Sequence, residues 1–294
     1  MLIARLIADP ATLETRLDAA MDALDARGLT VAAAQMLDAC SEVLEIATPG
    51  DDMAGFREEL DRHFAPSDAI MARDDIRIPD VFVSDMDSTM IGQECIDELA
   101  DFAGIKPQIA VITERAMQGE LDFAAALRER VGLLIGLEET AIASCLADRI
   151  QPMDGARTLV ATLKHRGCRT VLVTGGFHHF ADPVAADIGF ERVVANRLAV
   201  DQGRLAGDLV GGITDSAVKA QVLKEEAAAL GDEAVSLATG DGANDIPMLQ
   251  AATWGLAYRG KPKARAAADG WIDRGDLTSI LKLFEIPESE WVAG

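Results

Sequence analysis

Two acidic runs hold most of the chemistry this sequence can perform. Asp85-Met86-Asp87-Ser88-Thr89 follows the apolar stretch IPDVFV, and Gly240-Asp241-Gly242-Ala243-Asn244-Asp245 follows a second one, AVSLAT. Carboxylates at i and i+2 can point to one side once a strand curls into its loop. One can then attack an electrophile such as phosphorus while the other handles a proton. In the second run the glycines let the backbone turn sharply, and the acids supply hard oxygen ligands for Mg²⁺. An EF-hand is excluded, because its ligand spacing and its glutamate at the twelfth position are both absent. Two further pieces suit a phosphate. Thr174-Gly175-Gly176 can offer a hydroxyl and backbone N–H groups, and Lys219 lies early in the helical run SAVKAQVLKEEAAAL. Taken singly, these pieces read as helix caps, a turn and a surface charge; their common position at strand ends and at a helix start joins them.

The elements that must position these groups follow from periodicity. Residues 2–8 read as a strand and 11–26 as a helix stopped by Gly28. The runs 29–40 and 41–48 read as strands, Met53 to His63 as a helix and 67–74 as a strand. This β-α-β-β-α-β order implies a small ferredoxin-like α+β domain over residues 1–75. From residue 78 to 294 strands alternate with helices, which implies a doubly wound, Rossmann-like parallel sheet. Its strands are expected at 79–84, 170–176, RVVANRLAV with GDLVG after it, 234–241 and 254–258. Residues 93–148 are helical in pattern, with breaks near Gly104, Gly119 and Gly136, and read as a cap inserted into that domain. In such sheets ligands bind at the carboxyl ends of strands. Three of the expected strands end in the chemical pieces above.

Composition narrows the class of partner. The 294 residues are 49% apolar and carry a formal charge of −22, which excludes an extended nucleic-acid surface, since that needs clustered Lys and Arg. An anionic substrate must then be drawn in by local cations. Cys40, Cys95, Cys145 and Cys168 are scattered through apolar segments and read as buried free thiols. No stretch reaches the length and apolarity of a membrane span, and acidic residues appear by position 9. A cytoplasmic enzyme is expected.

In this order, the four pieces resemble the haloacid-dehalogenase superfamily of phosphohydrolases over about residues 78–284. The stretches DMDSTMIGQECIDELA, MQGELDFAAALRERVGLL, TGGF, ANRL and GDGANDI are similar to the phosphoserine phosphatase family in particular. The resemblance implies Mg²⁺-dependent hydrolysis of O-phosphoserine, the last step of serine biosynthesis, through a phosphorylated Asp85. Asp87 would serve as acid and then base. The metal would be held by Asp85, the backbone carbonyl of Asp87 and Asp241, with Asp245 behind them. Lys219, Thr174, Gly175 and Asn244 would clamp the phosphoryl group. Glu94 would hold the substrate ammonium and Arg130 its carboxylate, which suits the planar two-donor fork of Arg. Thr174 departs from the family's frequent Ser but keeps the hydroxyl. Met117 and Phe123 read either as cap wall or as ordinary interhelical core. His63, His165, His178 and His179 find no role, since a histidine nucleophile would leave both acidic runs without purpose. The first 75 residues resemble regulatory amino-acid-binding domains, with dimerisation or a structural role equally open. Two other readings remain: a related enzyme for another small phosphomonoester, and a non-catalytic amino-acid sensor.

Overall fold

The computed structural model describes residues 1–117 and 120–294, without the Met117 side chain; the expected break at Gly119 and the expected cap-wall role of Met117 lie outside these. The chain opens with β1 (Leu2–Ile7), α1 (Leu13–Ala26), β2 (Ala33–Met36), β3 (Leu44–Thr48), α2 (Met53–Phe64) and β4 (Asp68–Ala72). Asp52 caps α2 by accepting from Gly55 N at 2.9 Å, and Phe56, Leu60 and Phe64 recur on its buried face. β5 (Val81–Ser84) then leads into the cap helices α3 (Cys95–Phe102), α4 (Lys106–Met117), α5 (Phe123–Gly132) and α6 (Thr140–Arg149). Gly104 and Gly136 break this run, each at positive φ. The chain returns through α7 (Ala156–His165), β6 (Arg169–Phe177), α8 (His178–Ile188), β7 (Arg192–Asn196), β8 (Leu198–Asp201), β9 (Arg204–Leu209) and α9 (Ser216–Leu230). It finishes with β10 (Ser236–Gly240), α10 (Ile246–Ala251), β11 (Trp254–Tyr258), α11 (Pro262–Ala267), β12 (Gly270–Ile272) and α12 (Ser279–Leu283).

Ten strands form one sheet in the order β2-β3-β1-β4-β12-β11-β10-β5-β6-β7. β12 through β7 pair in parallel, whereas β4, β1, β3 and β2 pair antiparallel. β5 is buried at every position, as a central strand covered on both faces must be. The carboxyl ends of β10, β5 and β6, which carry the three chemical pieces, are therefore side by side.

The first four strands and two helices follow the βαββαβ path expected for residues 1–75, but their sheet runs on without an edge. β4 pairs with β12, a short strand that the sequence reading missed because three residues carry too little periodicity. Asp68 on β4 is fully buried and accepts from Asp273 N at 3.0 Å, Arg274 N at 2.8 Å and the Ser279 hydroxyl at 2.8 Å. Trp271 on β12 sits in the core of the leading module, between the guanidinium groups of Arg57 at 4.6 Å and Arg265 at 4.4 Å.

RVVANRLAV, read as one strand, is two. The chain leaves the large sheet after Asn196, and β8 and β9 form a separate two-stranded sheet, with Arg204 of β9 also bridging to Glu138 of the cap. The hairpin bonds to the cap instead: Gly136 N donates to Leu205 O and Leu205 N to Leu137 O, both at 2.8 Å. All four cysteines are buried free thiols. Among the described residues no helix is long and apolar enough to cross a membrane.

Candidate active site

β5 delivers Asp85 to the floor of a cavity of about 240 Å³, on the small side for a ligand site. Its backbone is tied to the neighbouring strand, with Asp85 N donating to Thr239 O at 2.9 Å and the Thr239 hydroxyl donating to Ser84 Oγ at 2.8 Å. The residue is 3% exposed. Burial, and then the nearby Asp245 carboxylate, push its pKa well above the ordinary Asp range, while Lys219 pulls the other way. Asp87 lines the same floor and accepts from Cys95 N, at the first turn of α3, at 3.2 Å. Burial and the proximity of Glu94 raise its pKa to about 7, which suits a group that must give and take a proton near neutrality.

Lys219 reaches this region from α9, whose N-cap Asp215 accepts from Ala217 N and Val218 N. It is 1% exposed and does not line the cavity; it lies behind Asp85. Its ammonium is 2.7 Å from Asp85 Oδ1 and donates to Asp245 Oδ1 at 2.7 Å. Burial opposes its charge, but the two carboxylates outweigh that and raise its pKa. Asp245 uses its other oxygen to accept from Gly242 N at 3.0 Å, so both of its oxygens are engaged. Gly240 is required there, because a Cβ would come within 2.4 Å of Asp245 Cγ.

Asp241, at the end of β10, stands beside these groups, and oxygens of Asp85, Asp241 and Asp245 lie within 4.8 Å of one another. Asp85 Oδ1 is buried and makes no hydrogen bond of good geometry despite its close ion pair with Lys219. A buried cluster of three carboxylates supplies the hard oxygen donors that a divalent cation such as Mg²⁺ takes.

At the end of β6, Thr174 Oγ1 accepts from Gly176 N at 2.9 Å. Gly175 and Gly176 line the cavity, and a Cβ on Gly176 would meet Asp87 Oδ2 at 3.1 Å. Asn244, which follows β10 on the other side of β5, also lines the cavity. The roof comes from the cap. Phe123 reaches to within 3.1 Å of the place a Gly175 Cβ would take, so it acts as cavity wall. Arg130 is half-buried, and its only hydrogen bond among the described residues runs from Nε to Ala126 O at 3.3 Å. No carboxylate pairs with it among those residues, and burial lowers its pKa from the usual Arg value. Glu94 completes the wall and accepts from the Ser88 hydroxyl at 2.8 Å. His178 pairs with Asp182 at 2.7 Å, and neither His178 nor His179 lines the cavity.

Sequence reasoning missed two residues. Lys261 lines the cavity rim with its ammonium 3.0 Å from Asp241 Oδ2. Asn196 bonds to both Gly175 O and Thr214 N. Lys261 carries no local signal, because its partner is distant in the chain; Asn196 lies in the ANRL stretch of the resemblance but was given no role.

A strand-end aspartate pair, a buried lysine behind it and an inserted helical cap define a phosphotransfer hydrolase, and residues 82–250 match the haloacid dehalogenase-like hydrolase family. The chain belongs to that family. It is 42% identical over 207 residues to a phosphoserine phosphatase of Albidiferax ferrireducens, an alignment covering 68% of this chain and 87% of that one. A HAD family hydrolase from Salmonella enterica serovar Typhi superposes with a TM-score of 0.83 at 27% identity, covering 97% of this chain and 99% of its own. The solved phospho-aspartyl intermediate analogue of a phosphoserine phosphatase gives a TM-score of 0.63 at 35% identity, over 70% of this chain and 99% of that one.

Proposed function

We propose that this chain hydrolyses O-phosphoserine to serine and phosphate through an aspartyl-phosphate on Asp85. The observation that carries the substrate is the cavity roof. Arg130, a half-buried cation with no carboxylate partner among the described residues, and Glu94 share a small cavity above Asp85 and Asp87. That pairing complements the carboxylate and ammonium of a phosphorylated amino acid.

In the first step an Asp85 oxygen attacks phosphorus, and the bond to the serine oxygen breaks. Asp87, poised near pH 7, gives that oxygen its proton. In the second step Asp87 takes a proton from water, and the hydroxide oxygen attacks phosphorus and releases Asp85. Lys219 holds Asp85 in place from behind, while Thr174, Gly175 and Asn244 meet the phosphoryl oxygens. Asp85, Asp241 and the Asp87 carbonyl, with Asp245 behind them, would hold Mg²⁺, which would supply positive charge to the phosphoryl group.

Residues 1–75 act as a fixed extension of the phosphatase domain 78–294, a reading supported by the β4–β12 pairing and the Asp68 clamp. Serine binding by that module, and a homodimer formed through it, are checked by calorimetry and light scattering. The enzyme belongs on this reading to the cytoplasm and to the last step of serine biosynthesis.

The test is a panel of phosphoamino acids, sugar phosphates and an aryl phosphate, each with Mg²⁺ and with chelator. Phosphoserine should give the highest kcat/KM, and chelator should abolish it. A preference for a sugar phosphate would replace the substrate. No hydrolysis of any member would overturn the enzyme reading in favour of an amino-acid sensor.

A further inference from the structure

A register shift in β6 sits where the phosphate turn is made. β6 and β7 pair in step as far as Val173 with Val194, then resume at Phe177 with Asn196. The extra residues on β6 bulge out of the ladder and carry Thr174, Gly175 and Gly176 toward the cavity, as bulges beside active sites commonly do. A bulge leaves backbone groups without ladder partners, and here a side chain takes one of them. Asn196 Nδ2 donates to Gly175 O at 2.7 Å. The other end of the same amide, Oδ1, accepts from Thr214 N at 2.8 Å. Asn196 is 1% exposed and Thr214 5% exposed, so neither bond is exchanged easily for water.

Both partners lead into the site. The Gly175–Gly176 peptide plane is held at its oxygen by Asn196 and at its N–H by Thr174 Oγ1, 2.9 Å away. With that oxygen accepting from Gly176, the Thr174 hydroxyl hydrogen is left to donate to an anion. Thr214 directly precedes Asp215, the N-cap of α9, and Lys219 N donates to Asp215 O at 3.0 Å one turn on. We infer that Asn196 is a positioning residue of the phosphoryl site, whose amide locks the Gly175 peptide to the start of the helix that carries Lys219. At neutral pH the amide supplies one donor and one acceptor to two backbone groups of opposite polarity, whereas the near-isosteric carboxylate supplies acceptors alone. A carboxylate there would face the Gly175 carbonyl with no hydrogen and add negative charge beside an anionic substrate.

The inference rests on phosphomonoester chemistry at this site and not on phosphoserine being the substrate. The test uses the full chain with Mg²⁺, the variants Asn196→Asp and Asn196→Ala, and Glu226→Gln as a control. Glu226 is buried against Arg169 and Arg192 away from the cavity. The readouts are the inhibition constant of inorganic phosphate, kcat and KM on phosphoserine and on an aryl phosphate, and a urea melt. Asn196→Asp should weaken phosphate and lower kcat/KM by about ten- to a hundredfold, alike on both substrates, as expected for an unsatisfied buried carbonyl. Acidification should narrow its gap to wild type, because the introduced carboxyl regains a hydrogen to donate. Glu226→Gln should lose stability and leave the phosphate constant unchanged. Should Asn196→Ala fail to fold, the near-isosteric Asp variant still decides. A folded Asn196→Asp with the wild-type phosphate constant, or with a deficit that acid does not narrow, overturns the inference. A wild-type chain that hydrolyses nothing would instead sink the phosphatase reading, which keeps the two failures distinct.

Discussion

Replacing Arg130 by Ala should cost activity on phosphoserine without costing stability. In the free enzyme the Arg130 guanidinium is half-buried, makes one hydrogen bond to a backbone carbonyl and has no carboxylate partner among the described residues. Its burial is a cost that the charges of Asp97 and Glu94 offset only in part, so removing it should leave the urea midpoint unchanged or slightly higher. On the proposed reading, bound phosphoserine would set its carboxylate against the same group, in a cavity walled in part by Phe123. Truncating one partner of such a pair costs roughly 2–5 kcal/mol, or about 30-fold to several-thousand-fold in kcat/KM. An aryl phosphate lacks the carboxylate and should lose little. The assay measures kcat/KM on both substrates in wild type, Arg130→Ala and Arg130→Lys, beside urea melts. The Lys variant should recover only part of the loss, since an ammonium cannot make the two-donor fork. Equal losses on the two substrates would refute the reasoning, because Arg130 would then serve cap closure or the chemistry in general.

Asp85→Asn should abolish turnover with the fold intact, and acid-quenched wild type should carry phosphorus from labelled substrate on Asp85; turnover by the Asn variant would rule out the covalent route. Ca²⁺ should replace Mg²⁺ in binding but inhibit hydrolysis, because its larger and looser coordination would engage both Asp85 oxygens; full activity with Ca²⁺ alone would contradict this. Asp87 should titrate near 7 in the metal-free chain when its carboxyl carbon is followed by NMR, being protonated below and charged above that pH. Glu94→Gln should lower that midpoint, since the Glu94 charge is the second cause of the shift after burial; an unmoved midpoint would leave burial as its sole cause.

The acidic runs were legible before any coordinates because their information is local. An apolar run that ends in Asp-x-Asp or Gly-Asp-Gly marks a buried strand and its functional end within ten residues. The same holds for the helical cap, where the glycine breaks at 104 and 136 coincide with positive φ. Short or interrupted elements were less legible. Nothing in Gly270–Ile272 marks a strand until β4 lies beside it, and the apolar runs on either side of Asn196-Arg197 read as one strand although the chain changes sheets between them.

The sequence by itself therefore determined the reacting groups, the α/β class and the family, since these depend on residue type at a few adjacent positions. Only the tertiary structure decided how those groups meet. It set β10, β5 and β6 side by side, buried Lys219 between Asp85 and Asp245, and brought Asn196 onto a carbonyl from another strand. It also ran the leading module into the same sheet through β4 and β12. The physical reason is that each of these contacts joins segments far apart in the chain. Local propensity does not encode such pairings; the order of strands in the sheet and the burial of its two faces select them.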